Sequence, residues 1–132
     1  MNKKIYVREG EIHSLINEIA EKGFLQKRLF FEEGFSLDLD KLVVAGHSMG
    51  GMAAILAARS NPYVKCLLTH DPWLMPAYQD ILDGKITGFK EDQPTFLLNT
   101  ATFHDRMKDY PFDHLKCFET LRDKHIKARQ LE

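Results

Sequence analysis

Residues 41–58 read KLVVAGHSMGGMAAILAA, and this stretch decides the fold. Leu42 to Ala45 form a short apolar run of the kind that fills a buried parallel strand. Gly46-His47-Ser48-Met49-Gly50 then fits G-x-S-x-G, and from Gly51 to Ala58 the chain continues in small and apolar residues suited to a tightly packed helix. A strand, a sharp turn with a central serine and a helix are the context of a nucleophile elbow. In such a turn the serine sits in strained backbone, so that its Oγ stands clear of the sheet. Gly46 and Gly50 are expected where strand and helix approach closely and a Cβ would clash. The first helical amides, with the positive end of the helix dipole, face the place where an oxyanion would form. Ser48 is therefore the candidate nucleophile. The bland reading of the same pattern is a tight strand-to-helix turn with an inert serine.

Working outward, the 132 residues suffice for one domain at most. A hydrophobic content of 44% can fill a core, and 28% charged residues make an ordinary soluble surface. The net charge of −1 argues against non-specific nucleic-acid binding, which needs a clustered basic face. No apolar run approaches the ~18 residues of a transmembrane helix. The N-terminal MNKKIYVREGEI turns polar with no hydrophobic segment, so no signal peptide is read there, and a cytoplasmic location is only the default. Cys66 and Cys117 have no framework spacing and read as buried, reduced thiols.

Before the elbow, Ile12, Leu15, Ile16 and Ile19 recur at helical spacing within Arg8–Lys22, and Gly23 is a stop signal. Leu25 to Gly34 is ambiguous, and Phe30, Phe31 and Phe35 call for a core to cover them. Ser36 to Asp40 reads as a solvated turn; its alternating aspartates lack the glycine and terminal glutamate of a calcium loop. After the elbow helix, Asn61-Pro62 breaks the chain, and VKCLLT (Val64–Thr69) is a second strand. A weak helix follows over Ala77–Leu82, then a third strand at Thr95–Leu98 and a helix over Phe112–Lys124. This alternation signals a parallel sheet covered by helices. Forty-odd residues before Ser48 cannot hold several βα units of ~30 residues each, so an incomplete α/β domain over residues 1–132 is expected.

An activated serine needs a base, and the base an orienting carboxylate. In open α/β sheets such groups collect at the carboxyl ends of strands. Asp71 ends the second strand, whereas the third offers Asn99 and Thr100 and no carboxylate before Asp105. Asp71 is the better acid; its bland alternative is a turn cap before Pro72. The base is harder to find. His47, inside the elbow, should point away from the serine, and His70 should diverge from Asp71 by strand alternation. His13 and His114 lie on expected helices in packing or surface roles. That leaves His104, shortly after the third strand, and His125, at the end of the last helix; neither is preceded by the further strand that carries the histidine in this site type.

GHSMGG, then THDPWLMP with its aspartate 23 residues beyond the serine, then PTFLLNTATF, resembles the secreted-type platelet-activating-factor acetylhydrolases, calcium-independent serine phospholipases of the α/β-hydrolase fold. The resemblance runs from about Val7 to Cys117. It implies a partial α/β-hydrolase fold of three parallel strands with flanking helices. It also implies Ser48 as nucleophile, Asp71 as acid and the backbone N–H of Met49 as an oxyanion donor; the sequence itself gives no sign of a metal site or an organic cofactor. The expected substrate is a phospholipid with a short sn-2 acyl chain, met at a membrane or lipoprotein surface, and nucleic acid is not a partner. Trp73 to Pro76 would shape the acyl pocket or the approach to lipid. The resemblance places the catalytic histidine beyond Glu132. Two readings compete: an inactive fragment of such an enzyme, and another α/β-hydrolase acting on carboxylic esters or thioesters.

Overall fold

The computed structural model describes residues 2–86, 90 and 92–127. Its elements run α1 (Asn2–Ala20), α2 (Phe24–Leu29), β1 (Val43–His47), α3 (Met49–Ser60), β2 (Cys66–His70), α4 (Tyr78–Leu82), β3 (Thr95–Leu98), α5 (Ala101–Met107) and α6 (His114–Lys127). The three strands form one parallel sheet in the order β1-β2-β3. This is the partial α/β-hydrolase arrangement expected from the sequence.

The core lies on one face of that sheet. Val44 and Gly46 of β1 share this face with Leu67 and Thr69 of β2 and with Thr95 and Leu97 of β3. Against it packs α3, in which every residue from Gly51 to Ala58 is buried. A helix apolar all round must be covered all round. The sheet covers one side of α3, and α1 covers another through Ile5 and Ile16. Cys117 and Leu121 of α6 and Ile81 of α4 complete the same cluster. Each fully buried Ile or Leu contributes roughly 1.5–3 kcal/mol, so α3 anchors the fold it was expected to organise.

The other face is open among the described residues. Val43, Ala45 and His47 line up in register with Leu68, His70, Phe96 and Leu98, and all seven are exposed. Other local expectations need correction. Phe30, Phe31 and Phe35 find no core: they are exposed, Phe30 to 88%, with Phe30 itself in left-handed backbone (φ 57°). The ambiguous segment after Gly23 yields only one and a half turns of helix before that left-handed residue ends it. The expectation of two buried thiols holds for Cys117 alone, since Cys66 is half-buried. The helix α5 was not anticipated.

Polar pairs tie α1 to the end of α3. The His13 ring is 2.9 Å from Ser60 Oγ through Nε2 and accepts from the Asn61 side-chain amide at 2.9 Å through Nδ1. Asn61 is buried, and its Oδ1 accepts from the Tyr63 N–H at 2.9 Å, so both ends of its side-chain amide are used.

Candidate active site

Ser48 sits between β1 and α3 with φ 53° and ψ −122°, a conformation that costs a non-glycine residue on the order of 1–3 kcal/mol. Although it occupies the N-cap position of α3, its side chain makes no capping hydrogen bond. An inert cap serine would spend its hydroxyl on the helix amides; this hydroxyl is not spent. Its backbone is fully engaged. The Ser48 N–H donates to His70 O at 3.1 Å, and Ser48 O accepts from Met52 N–H (3.3 Å) and Trp73 N–H (2.8 Å). The strain is therefore held in place by the strand and loop that carry Asp71.

The glycines divide the work differently from the expected pair. A Cβ on Gly46 would lie 2.3 Å from Gly50 O, and one on Gly51 would lie 2.9 Å from the Cα and Cβ of Pro72. At Gly50 a Cβ would meet nothing within 4 Å. Gly46 thus permits the strand–helix contact and Gly51 the contact with the acid loop, whereas the predicted clash at Gly50 does not exist. The reason is geometric: Gly50 contributes its carbonyl, not its Cα, to the crossing with Gly46.

Asp71 follows β2 as Ser48 follows β1. The register pairs His47 with His70, so the two residues leave adjacent strands at the same level. Asp71 also has positive φ (45°), and its N–H donates to Leu98 O at 2.9 Å. The carboxylate is buried, with the residue 7% exposed. Its Oδ1 accepts from the Thr100 N–H at 2.7 Å and its Oδ2 from the Thr100 hydroxyl at 2.8 Å. Contrary to the expected divergence, His70 Nε2 lies 3.5 Å from Asp71 Oδ2, with the His70 side chain half exposed. Positive φ breaks strand alternation at Asp71, and two neighbouring side chains turn to the same side. Beyond this pair, the His47 ring packs 5.1 Å from that of His70 on the open face.

His114 and His104 pack among the helices around this loop. His114 is buried, and its Nε2 lies 3.0 Å from Pro72 O, so it braces the acid loop from α6. Burial lowers its pKa below the ordinary 6.5, against the opposing pull of the Pro72 carbonyl. That leaves a neutral imidazole donating to the carbonyl. His104 packs against His114 and Phe118, with ring centroids 5.9 Å away in each case. The side chain of His125 lies outside the described residues. Of the apolar stretch after the acid, Leu74 and Pro76 are buried in the core, which leaves Trp73 and Met75 half-buried beside the site. Met49 opens α3 as an exposed residue, so its N–H belongs to the first turn, where amides lack intrahelical partners. A cavity of about 730 Å³ beside Met49 is lined otherwise by Lys3, Lys4, Val7, Arg8 and Glu11 of α1. Among the described residues no group of three or more metal-binding side chains occurs.

The family described as platelet-activating factor acetylhydrolase, isoform II, matches residues 8–127. The chain belongs to this family. A platelet-activating factor acetylhydrolase of Cavia porcellus is 32% identical over 68 residues, covering 52% of this chain and 14% of that protein. Its namesake in Bos taurus is 27% identical over 94 residues, covering 69% of this chain and 19% of the relative. A protein named hydrolase ffsE from Aspergillus flavipes is 50% identical over 42 residues, covering 32% of this chain and 9% of the relative. The chain thus spans less than a fifth of the length of the curated relatives it matches. No solved structure gives a significant match.

Proposed function

We propose that this chain carries the nucleophile and acid of a serine esterase that removes a short acyl group from the sn-2 position of platelet-activating-factor-like phospholipids. The observation that carries the reading is Ser48: strained backbone, a hydroxyl left out of helix capping, and main-chain bonds to the strand and loop bearing a buried aspartate. Membership of the acetylhydrolase family and the names of the relatives support the substrate class.

In this reading the Ser48 Oγ attacks the ester carbonyl as an imidazole takes its proton. The Met49 N–H donates to the oxyanion. Collapse of the tetrahedral intermediate expels the lysophospholipid oxygen, which recovers that proton, and leaves an acyl-serine. Water, deprotonated by the same imidazole, then releases the acid and regenerates Ser48. Asp71 orients the imidazole and stabilises its cationic form. Among the described residues, His70 is the ring beside the acid. Substrate would arrive from a membrane or lipoprotein surface, a role to which the exposed Leu29, Phe30, Phe31 and Phe35 are suited. No helix among the described residues is long and apolar enough to cross a membrane.

The test is labelling of the folded chain with a fluorophosphonate probe, followed by hydrolysis of a short-acyl phosphatidylcholine. Labelling at Ser48, with hydrolysis abolished in Ser48→Ala and reduced at least a hundredfold in Asp71→Asn, is expected. A folded chain that takes no probe defeats the reading. Turnover confined to thioesters would move the substrate class elsewhere.

A further inference from the structure

Thr100 lies two residues beyond the end of β3, at a strand end that the sequence reading set aside for want of a carboxylate. In the structure it is the partner of one. Its N–H reaches Asp71 Oδ1 at 2.7 Å and its hydroxyl reaches Oδ2 at 2.8 Å. The other neighbours fix which way the hydroxyl bond runs. A carboxylate only accepts, and the Phe103 N–H donates to Thr100 Oγ1 at 3.3 Å. The single hydroxyl proton therefore goes to Asp71, and a Thr100 lone pair serves Phe103. At the 3.4 Å approach of the Thr102 hydroxyl, Thr102 must then be the donor.

One residue thus holds both carboxylate oxygens, one through its main chain and one through its side chain. Rotation of the carboxylate about its own axis would break both bonds together. The backbone beneath it is also tied, since the Asp71 N–H is bonded to Leu98 O in the same β3 segment. Each oxygen keeps a second lone pair, and it is Oδ2 that His70 approaches, at 3.5 Å. Only serine could replace threonine and keep both bonds. Valine keeps the shape and loses the one that depends on the side chain.

We propose that Thr100 is a positioning residue for Asp71: it sets the plane in which the acid offers a remaining lone pair to the catalytic imidazole. The proposal rests on the reading of Asp71 as the triad acid. Its test is the rate of fluorophosphonate labelling at Ser48 in the wild-type chain, Thr100→Ser, Thr100→Val, Asp71→Asn and the double variant Asp71→Asn/Thr100→Val. Loss of a hydrogen bond to a charged group predicts a fall of roughly ten- to a hundredfold for Thr100→Val. Thr100→Ser should stay within about twofold of wild type, because it retains both donors to the carboxylate. On the Asp71→Asn background Thr100→Val should change little further, since a residue acting through Asp71 has nothing left to act on.

A merely structural role would lower the rate equally on both backgrounds, and that additivity would overturn the proposal. So would a Thr100→Val chain that labels at the wild-type rate. If the folded wild-type chain takes no probe, the esterase reading falls first and this role with it. If wild type labels and Asp71→Asn labels equally fast, the acid assignment falls instead. For a Thr100→Val chain that does not fold, the Thr100 amide proton decides. A bond to a carboxylate places it downfield, and it should move upfield in Asp71→Asn; an unmoved resonance refutes the clamp.

Discussion

Gly46→Ala offers the sharpest test of how the elbow is built. The new Cβ would lie 2.3 Å from Gly50 O, 2.5 Å from Gly50 C and 2.8 Å from Gly51 N. The first of these is about 1 Å inside ordinary van der Waals contact. All three are backbone atoms, so no rotamer change relieves them. Either α3 withdraws from β1 by about that distance, or the elbow peptide turns and takes Ser48 with it. Withdrawal loosens Met52, Ile55 and Leu56, each no more than 1% exposed, against the sheet. Overpacking of a core costs about 1–3 kcal/mol, and rigid obstructing atoms put this case near 3. Gly50→Ala is the control within the same motif. Its Cβ enters open space, and alanine in a helix gains about 0.5–1 kcal/mol over glycine. Urea unfolding followed by far-ultraviolet circular dichroism measures both. We expect a lower midpoint with unchanged slope for Gly46→Ala, and an equal or higher midpoint for Gly50→Ala. A Gly46→Ala chain within about 0.5 kcal/mol of wild type, on the scale of an ordinary surface change, would refute the account, as would equal losses in the two variants.

His114 gives a pH dependence of defined sign. Its folded pKa is depressed by burial, so its contribution is fully present above the unfolded value of 6.5 and is lost as pH falls through the folded pKa. Stability should therefore drop on acidification below 6.5 by up to about 1.4 kcal/mol per pH unit, and His114→Gln should flatten that limb in pH-resolved urea titrations. Burial pushes the Cys117 thiol up to about 11. A thiol reagent at neutral pH should therefore modify half-buried Cys66 first and reach Cys117 only in denaturant. Asn61→Ala removes the bond to His13 that joins α1 to the end of α3, together with the local bond from the Tyr63 N–H, and should cost about 1–3 kcal/mol by thermal or urea unfolding.

The strands and the elbow were legible because their signals are local. An apolar run of the right length and a serine between small residues suffice to place β1, Ser48 and α3. Strand boundaries slipped by one or two residues. The sequence reading ended the first two strands at Ala45 and Thr69, whereas the ladder continues through the paired His47 and His70. A polar histidine ends an apolar pattern without ending a strand. What escaped the sequence was the backbone sign of single residues. Positive φ at Asp71 brings His70 beside the carboxylate, and positive φ at Phe30 cuts α2 short. Phenylalanine does not favour that conformation, and aspartate adopts it more readily than most residues but still only rarely, so the letters alone do not announce it. The seven-residue α5 was missed for a related reason: Thr100 is its N-cap, a role open to any loop threonine, and the apolar period that follows is brief.

Ser48 and Asp71 are the two positive-φ, non-glycine residues that follow a strand end, and the sheet explains why they occur together. Their strands are in register, so the ladder runs one bond past each: Ser48 N–H to His70 O, and Asp71 N–H to Leu98 O. Each residue is thus pinned by its amide while the chain beyond it must turn sharply, to enter α3 in one case and the Pro72 loop in the other. The two turns then brace each other, since Trp73 N–H bonds Ser48 O and Gly51 packs on Pro72. Strain of this kind persists only where the surroundings over-determine it. Here each strained residue is part of what holds the other, so releasing one should relax both. The alignment of Ser48 and Asp71 is consequently a property of three strand ends and two loops, and does not depend on the face of the sheet left open among the described residues.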